Sequence, residues 1–256
     1  MSPSEIFPFK VDIPSSEVDR LKRKLLDTRL PPKPIVPDAG SRYGPTFEWA
    51  KNLYDALIND FDWYPIQDQI NSAPHFLTRL EDVKIHFVHA KSPRPDAIPL
   101  LMVHGWPGSF FEFNQVWGPL SNPSDPSLPA FHVVLPSMPG YCFSDWPPRS
   151  GWTLQDNARI FNALMKRLGY KEYMIQTGDW GHWVGRGLGR SQSNHGAVWL
   201  HRFLLGHGAK FEKSCGEDGQ SERNDGGHYA ALEDPEGITE DVQELAAKYW
   251  KSDALK

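Results

Sequence analysis

The feature that most limits how this chain can fold is a series of short apolar runs, each closed by turn residues or a helical stretch: Leu100 to Val103, His132 to Leu135, Tyr173 to Thr177 and Trp199 to Leu205. Runs this short, with no polar alternation, read as strands buried on both faces. Helical patterns lie between the later ones, Leu154 to Leu168 stopped by Gly169, and Trp183 to Arg190. Strand, helix and strand in repetition predict an α/β fold with a mostly parallel sheet and crossover helices. At 256 residues, 39% of them hydrophobic, the chain can bury the core that such a sheet needs.

Residues 1–95 follow a different pattern. Ser16 with Asp19 resembles a capping box, and Val18, Leu21 and Leu25 at helical spacing predict an amphipathic helix from Glu17 to Arg29. Pro31, Pro32 and Pro34 end it, and Pro31 to Pro45, with five prolines and two glycines, is expected to be extended. A second helix begins near Thr46, with Phe47, Ala50, Leu53, Leu57 and Phe61 as its apolar stripe. This leader is expected to wrap around a core formed by residues 96–256. Val83, Ile85, Phe87 and His89 alternate with Lys84, His86 and Val88, as in a strand with at least one end exposed. Residues 206–227 are glycine-rich and charged with no apolar period, which predicts a loop. Ile238, Val242, Leu245 and Tyr249 then return to helical spacing as a closing helix.

The net charge of −5 gives no electrostatic reason to expect a nucleic-acid or anionic-membrane partner. A neutral, mostly apolar substrate suits it better. Of the two cysteines, Cys142 and Cys215, neither lies in a cluster with metal-ligand spacing, so no structural metal is expected. The N-terminal residues lack a basic stretch followed by an apolar run, and nowhere does the chain approach the roughly 20 apolar residues that span a bilayer. A soluble, cytoplasmic protein is the expectation.

Chemistry concentrates where Met174-Ile-Gln-Thr177-Gly178-Asp179-Trp180-Gly181 runs from a strand through small residues into a helix. That is the layout of a nucleophile elbow, in which a tight turn lifts one side chain above the sheet. The residue lifted is a carboxylate, where lipases present a serine. A carboxylate is a poor acyl-transfer nucleophile but displaces well at saturated carbon, leaving an ester that water can cleave. An epoxide or alkyl halide is therefore the expected substrate, with no metal or cofactor. Read alone, Gly-Asp-Trp-Gly is also consistent with a turn and a helix-capping Asp. The context is Val103-His104-Gly105-Trp106-Pro107-Gly108, upstream of the elbow and directly after a strand, as an oxyanion loop should be. The backbone N–H groups of Trp106 and Trp180 are the expected oxyanion donors.

Four motifs in order, HGWPGSFFEF at 104–113, PSMPGYCFSD at 136–145, TGDWGHWVGR at 177–186 and GGHYAALEDPE at 226–236, resemble those of the microsomal-type epoxide hydrolases. The leader, with VDIPSSEVDRLKRKLLDTRLP and FEWAKNLYDALINDFDW, is similar to the N-terminal segment of that family. The resemblance implies an α/β-hydrolase fold, a covalent ester on Asp179, and His228 as the base that activates water against it. It covers residues 7–205 and 226–256. His182, beside the elbow, stands where many relatives carry a small polar residue.

The chain departs from the family in two places. Relatives carry a helical cap, with two tyrosines that hold the epoxide oxygen, between the strand after the elbow and the strand bearing the triad acid. Here only residues 206–225 separate Leu205 from the His228 motif, so the cap is expected to be missing or severely shortened. The family's usual interval for the acid lands near His201 and Arg202, neither of them acidic. Glu212, in Phe211-Glu212-Lys213, is the candidate substitute, with Glu217, Asp218, Glu222 and Asp225 as rivals. Two other readings stay open, a haloalkane dehalogenase-like hydrolase and a non-catalytic scaffold. Without a cap, an apolar surface over Asp179 formed by Trp106, Trp180 and Phe110 is expected to be exposed and to favour a homodimer.

Overall fold

The computed structural model describes residues 5–192, 198–204, 209–212, 222–223 and 227–250, with side chains over 5–189 and 227–250. The chain divides into two compact units, Val11–Ser72 and Met1–Lys10 together with Ala73–Lys256.

The smaller unit is helical. Helix α1 (Ser15–Asp27) starts two residues before the expected Glu17 and without a Ser16 cap. The Pro14 carbonyl accepts the first helical bond, from Glu17 N–H at 2.9 Å, which puts Ser16 inside the first turn instead of ahead of it. Helix α2 (Phe47–Asn59) begins as expected, because the Thr46 side chain accepts from Trp49 N–H at 3.1 Å. A third helix, α3 (Trp63–Ile70), was not legible in the pattern. It ties the unit's ends together: Asn71 exchanges two hydrogen bonds with the Val11 backbone, at 2.9 and 2.8 Å, and Gln67 accepts from Ile13 N–H at 2.8 Å.

The larger unit is a nine-stranded sheet. Its strands are β1 (Ile6–Phe9), β2 (His75–Leu80), β3 (Val83–Ala90), β4 (Ile98–Val103), β5 (Phe131–Pro136), β6 (Met174–Gly178), β7 (Val198–Leu204), β8 (Ala209–Glu212) and β9 (Glu222–Arg223). Their order is β1-β2-β3-β5-β4-β6-β7-β8-β9. The expectation of a mostly parallel sheet is wrong. Only β5-β4-β6-β7 is parallel, while β1-β2, β2-β3, β3-β5, β7-β8 and β8-β9 pair antiparallel. The error has two sources. IFPF and HFLTRL are too short and too mixed in polarity to stand out, yet they add two antiparallel strands to one edge. Residues 206–227 hide two more, because a strand made by folding back on β7 needs backbone pairing and no apolar period of its own.

The parallel centre shows why the apolar runs were continuous. Leu101, Val103, Val134 and Ile175 pack on one face into a cluster with Ile160, Phe161, Leu164 and Met165 of helix α5 (Leu154–Arg167) and with Val184 and Leu188 of helix α6 (Trp180–Gln192). The alternate residues Leu100, Met102, Val133, Leu135 and Met174 are buried on the opposite face, where helices α4 (Trp117–Ser121) and α8 (Pro235–Tyr249) lie against β5 and β7. Strand β4 leads to β5 on one side of it, and β6 returns on the other. The carboxyl ends of β4 and β6 thus form a topological switch point, where helices leave in opposite directions and a crevice opens. The HGWPG loop and Asp179 occupy that place.

Candidate active site

Asp179 has a left-handed backbone, φ 51°, between the end of β6 and the start of α6. A non-glycine residue held there is strained, and the surrounding backbone must pack closely to keep it so. The packing is visible at two glycines. A Cβ on Gly181 would lie 2.9 Å from the His104 carbonyl oxygen, and one on Gly105 would lie 2.5 Å from Asp179 Cβ. Only hydrogen at these positions lets α6 and the loop after β4 close on the carboxylate.

That loop is clamped by His104, which is fully buried. Its Nε2 accepts from Met138 N–H at 3.1 Å, so the proton resides on Nδ1, which donates to the Gly105 carbonyl at 3.0 Å. Burial pushes the imidazole down to about 4, the backbone bond to Gly105 opposing. The next amide, Trp106 N–H, donates to Asp179 Oδ1 at 2.7 Å. The other oxygen, Oδ2, faces His228 Nε2 at 3.8 Å, and the same nitrogen is 3.2 Å from the Trp106 carbonyl. His228 precedes helix α7 (Ala230–Glu233), and its loop is held by Tyr229 N–H donating to Glu233 at 2.9 Å. The side chains of Asp179 and His228 are 30% and 45% exposed, which leaves room for a molecule between them and solvent.

The structure therefore brings together Asp179, Trp106 and His228, three of the five residues singled out by sequence. Trp180 is adjacent, yet among the described residues no hydrogen bond runs from its amide to the carboxylate; as the first residue of α6, its amide is not used by the helix. Glu212 is placed by its backbone alone. It pairs with His201, which pairs with Thr177, two strands across from the elbow strand and at the same end of the sheet. Its side chain lies outside the described residues, as do those of Glu222, Glu217, Asp218 and Asp225. Trp106 and Trp180, in the loop and at the elbow, are exposed, as is Trp183 in the first turn of α6. Phe110 does not join them, since it is buried at 2% exposure among Phe143, His75 and His86. The reason is that it opens the 3-10 turn Phe110–Phe113 with its ring toward the β2–β3 edge. His182 is buried too, its ring edge-on to Trp183 at 5.3 Å.

One group that the sequence did not single out sits beside this trio. Glu112, in the 3-10 turn, has its pKa pushed up to about 8, mainly by burial and further by the charge of Asp179, with the Ser109 amide opposing. Nothing in a Phe-Phe-Glu-Phe string marks such a carboxyl, because its neighbours come from distant segments. Among the described residues no group of three or more His, Cys, Asp or Glu is placed to hold a metal. No helix among them is long and apolar enough to cross a membrane.

A carboxylate lifted by a strained elbow at the switch point, with an amide on one oxygen and an imidazole facing the other, defines an α/β-hydrolase. Residues 98–181 match the sequence pattern of the alpha/beta hydrolase fold, and residues 6–113 that of the epoxide hydrolase N terminus. Epoxide hydrolase 1 of Oryctolagus cuniculus is 39% identical over 197 residues, covering 74% of this chain and 43% of the relative. The solved structure of Aspergillus niger epoxide hydrolase is 38% identical with a TM-score of 0.68, over 80% of this chain and 54% of that one. Juvenile hormone epoxide hydrolase from the silkworm Bombyx mori is 32% identical with a TM-score of 0.70, over 77% and 53%. The chain belongs to the epoxide hydrolase family, and it spans less than half the length of the curated relatives it matches.

Proposed function

We propose that the chain hydrolyses an epoxide to a vicinal diol. Asp179 Oδ2 attacks a ring carbon and the carbon–oxygen bond breaks, leaving an ester on Asp179 and an alkoxide that takes a proton from solvent. His228 then takes a proton from water, whose oxygen adds to the ester carbonyl. The negative charge that develops falls on the oxygen facing Trp106 N–H, and the Trp180 amide is the second donor once the tetrahedral centre forms. Collapse releases the diol, its departing oxygen protonated from His228, and the Asp179 carboxyl gives up its remaining proton to solvent. The observation that carries this reading is the division of labour at the carboxylate: one oxygen is held by Trp106 N–H at 2.7 Å, and the other faces His228 Nε2 at 3.8 Å.

Glu212 is the proposed partner that orients His228, supported by its row across β6, β7 and β8. The substrate is small and apolar, received against Trp106, Trp180 and Trp183, and the chemistry as written needs neither metal nor cofactor. The same exposed tryptophans support a homodimer, the net charge gives no attraction for a nucleic-acid partner, and a cytoplasmic location is proposed.

A second reading, a non-catalytic scaffold, is favoured by the 22 residues between Leu205 and His228, too few for the cap that relatives carry. Incubation with styrene oxide and with 1-bromobutane separates the possibilities. Diol from the first supports the epoxide reading. Bromide from the second alone points to dehalogenation, and neither product from folded protein points to the scaffold.

A further inference from the structure

Glu112 stands where the chain leaves the oxyanion loop, and its carboxyl folds back onto that loop. A Cβ added to Gly108 would collide with Glu112 Oε2 and come within 3.2 Å of the Tyr229 ring. Gly108 is thus the gap that admits a second carboxyl to the neighbourhood of the first. The Ser109 amide reaches this carboxyl, and Asp179 and Tyr229 are its electrostatic neighbours. His228 adjoins Tyr229 with its ring edge-on at 5.1 Å, and Glu233 holds the Tyr229 amide.

We propose that Glu112 is a positioning residue of the Asp179 site, and that its acid form is required when the ester on Asp179 is cleaved; this rests on the ester mechanism given above. The opening step is not where it acts. Displacement at saturated carbon is in line, so the departing oxygen lies on the far side of that carbon from Asp179. Cleavage is different. As water adds to the ester carbonyl, its electron pair moves onto the oxygen facing Trp106, and a neutral group becomes an anion. A second negative charge beside it raises the barrier, whereas a carboxylic acid adds none and can aim an O–H at the site. In the free site burial, and after it the charge of Asp179, push the Glu112 carboxyl up to about 8; once Asp179 is an ester its charge is gone, and burial, the larger cause, is what holds the proton. As pH rises the ionised form builds up, and cleavage slows.

The test follows a single turnover of an aryl epoxide by rapid quench and intact mass, from about pH 6 to about pH 10. In the unmodified protein, loss of the adduct should slow about tenfold per pH unit once Glu112 ionises, at or below about pH 8 because the esterified Asp179 no longer adds its charge. Glu112→Gln, which cannot ionise, should lose that alkaline limb. The same limb in Glu112→Gln overturns the proposal. Should the Gln variant not fold, Glu112→Asp draws the carboxyl back from Gly108, and its limb must move; a limb left in place overturns the proposal equally. Infrared spectra of carbon-13-glutamate-labelled protein read the proton directly. A protonated carboxyl at pH 7 that titrates near pH 8 is expected, and its absence overturns the idea. Failure of the ester mechanism looks different: His228→Gln then gains no substrate mass at any pH.

Discussion

The two halves of the site are made differently. The elbow half, the ends of β4 and β6, is fixed by backbone: a left-handed Asp179, glycines at 105 and 181 that tolerate no side chain, and a buried His104 clamping the loop between two main-chain groups. The histidine half is held by side chains at the surface. His228 meets the elbow half through one contact at 3.2 Å and another at 3.8 Å, and its loop hangs on the Glu233 bond. The nucleophile is therefore pre-set by folding, while the base keeps room to move as ester replaces carboxylate. If this is right, damage to the elbow half should remove both chemical steps or the fold, and damage to the histidine half should affect cleavage alone.

The largest effect tests that split directly. In His228→Gln, exposure to an aryl-substituted epoxide should add one substrate mass, located by peptide mapping on the Asp179 peptide, because attack does not need the base. Asp179→Ala should gain nothing and lose turnover completely. An adduct that forms equally in Asp179→Ala would be nonspecific alkylation, Cys142 being exposed, and would remove Asp179 from its role.

Acid should break the elbow half next. His104 ordinarily titrates near 6.5 and is held down to about 4 by burial, so the unfolded chain binds this proton first as pH falls. The sign follows: its contribution is complete above pH 6.5 and is lost as pH drops toward 4, by about 1.4 kcal/mol per pH unit or about 3 kcal/mol in all. His86, lowered to about 3, and His89, lowered to about 4, both chiefly by burial, act in the same direction. Urea unfolding between pH 7 and pH 4 should show the slope, and His104→Gln should flatten it by about one proton. A slope unchanged in His104→Gln would mean that the loop is not clamped as described.

These contrasts explain what could be read in advance. The parallel centre was legible because Leu100 to Val103 and Met174 to Thr177 are buried on both faces, and burial leaves a continuous apolar string. The elbow and its loop were legible because close backbone approach demands glycine at 105 and 181. Strands β1, β2, β8 and β9 were not, since antiparallel edges are made by pairing between backbones and put no required residue type on Pro8, Arg79 or Lys210. Phe110 was misplaced for a related reason: its neighbours Phe143, His75 and His86 come from other segments. Glu112 escaped notice altogether, because what holds its proton is the fold around it.

Gly181→Ala offers a smaller, structural test of the elbow half. The new methyl would press on the Val103 and His104 carbonyl groups, main-chain atoms of a buried strand end that cannot swing aside. Overpacking of this kind costs about 1 to 3 kcal/mol. Equilibrium unfolding should show that loss, and both ester formation and cleavage should slow together. A variant of undiminished stability would show the strand end to be softer than its packing implies.

The smallest effect belongs to the histidine half and decides whether the comparison holds. Glu233 Oε1 accepts from Tyr229 N–H at 2.9 Å, and its carboxylate also lies over Gly227, so that one side chain fixes the backbone on both sides of His228. Glu233→Ala leaves that amide to water, at a cost of about 1 kcal/mol for a partly exposed hydrogen bond. Because the His228 ring has no deep packing to fall back on, the same energy should appear as looser positioning of Nε2 against Oδ2, about fivefold in rate. It should fall on cleavage, in which His228 must take a proton from water, and much less on formation, in which Asp179 is held by Trp106 and the elbow. Single-turnover mass measurements resolve the two, since slower cleavage lengthens the life of the adduct without delaying its appearance. Equal slowing of both steps would show the two halves to be one rigid unit, and the distinction between a pre-set nucleophile and an adjustable base would have to be given up.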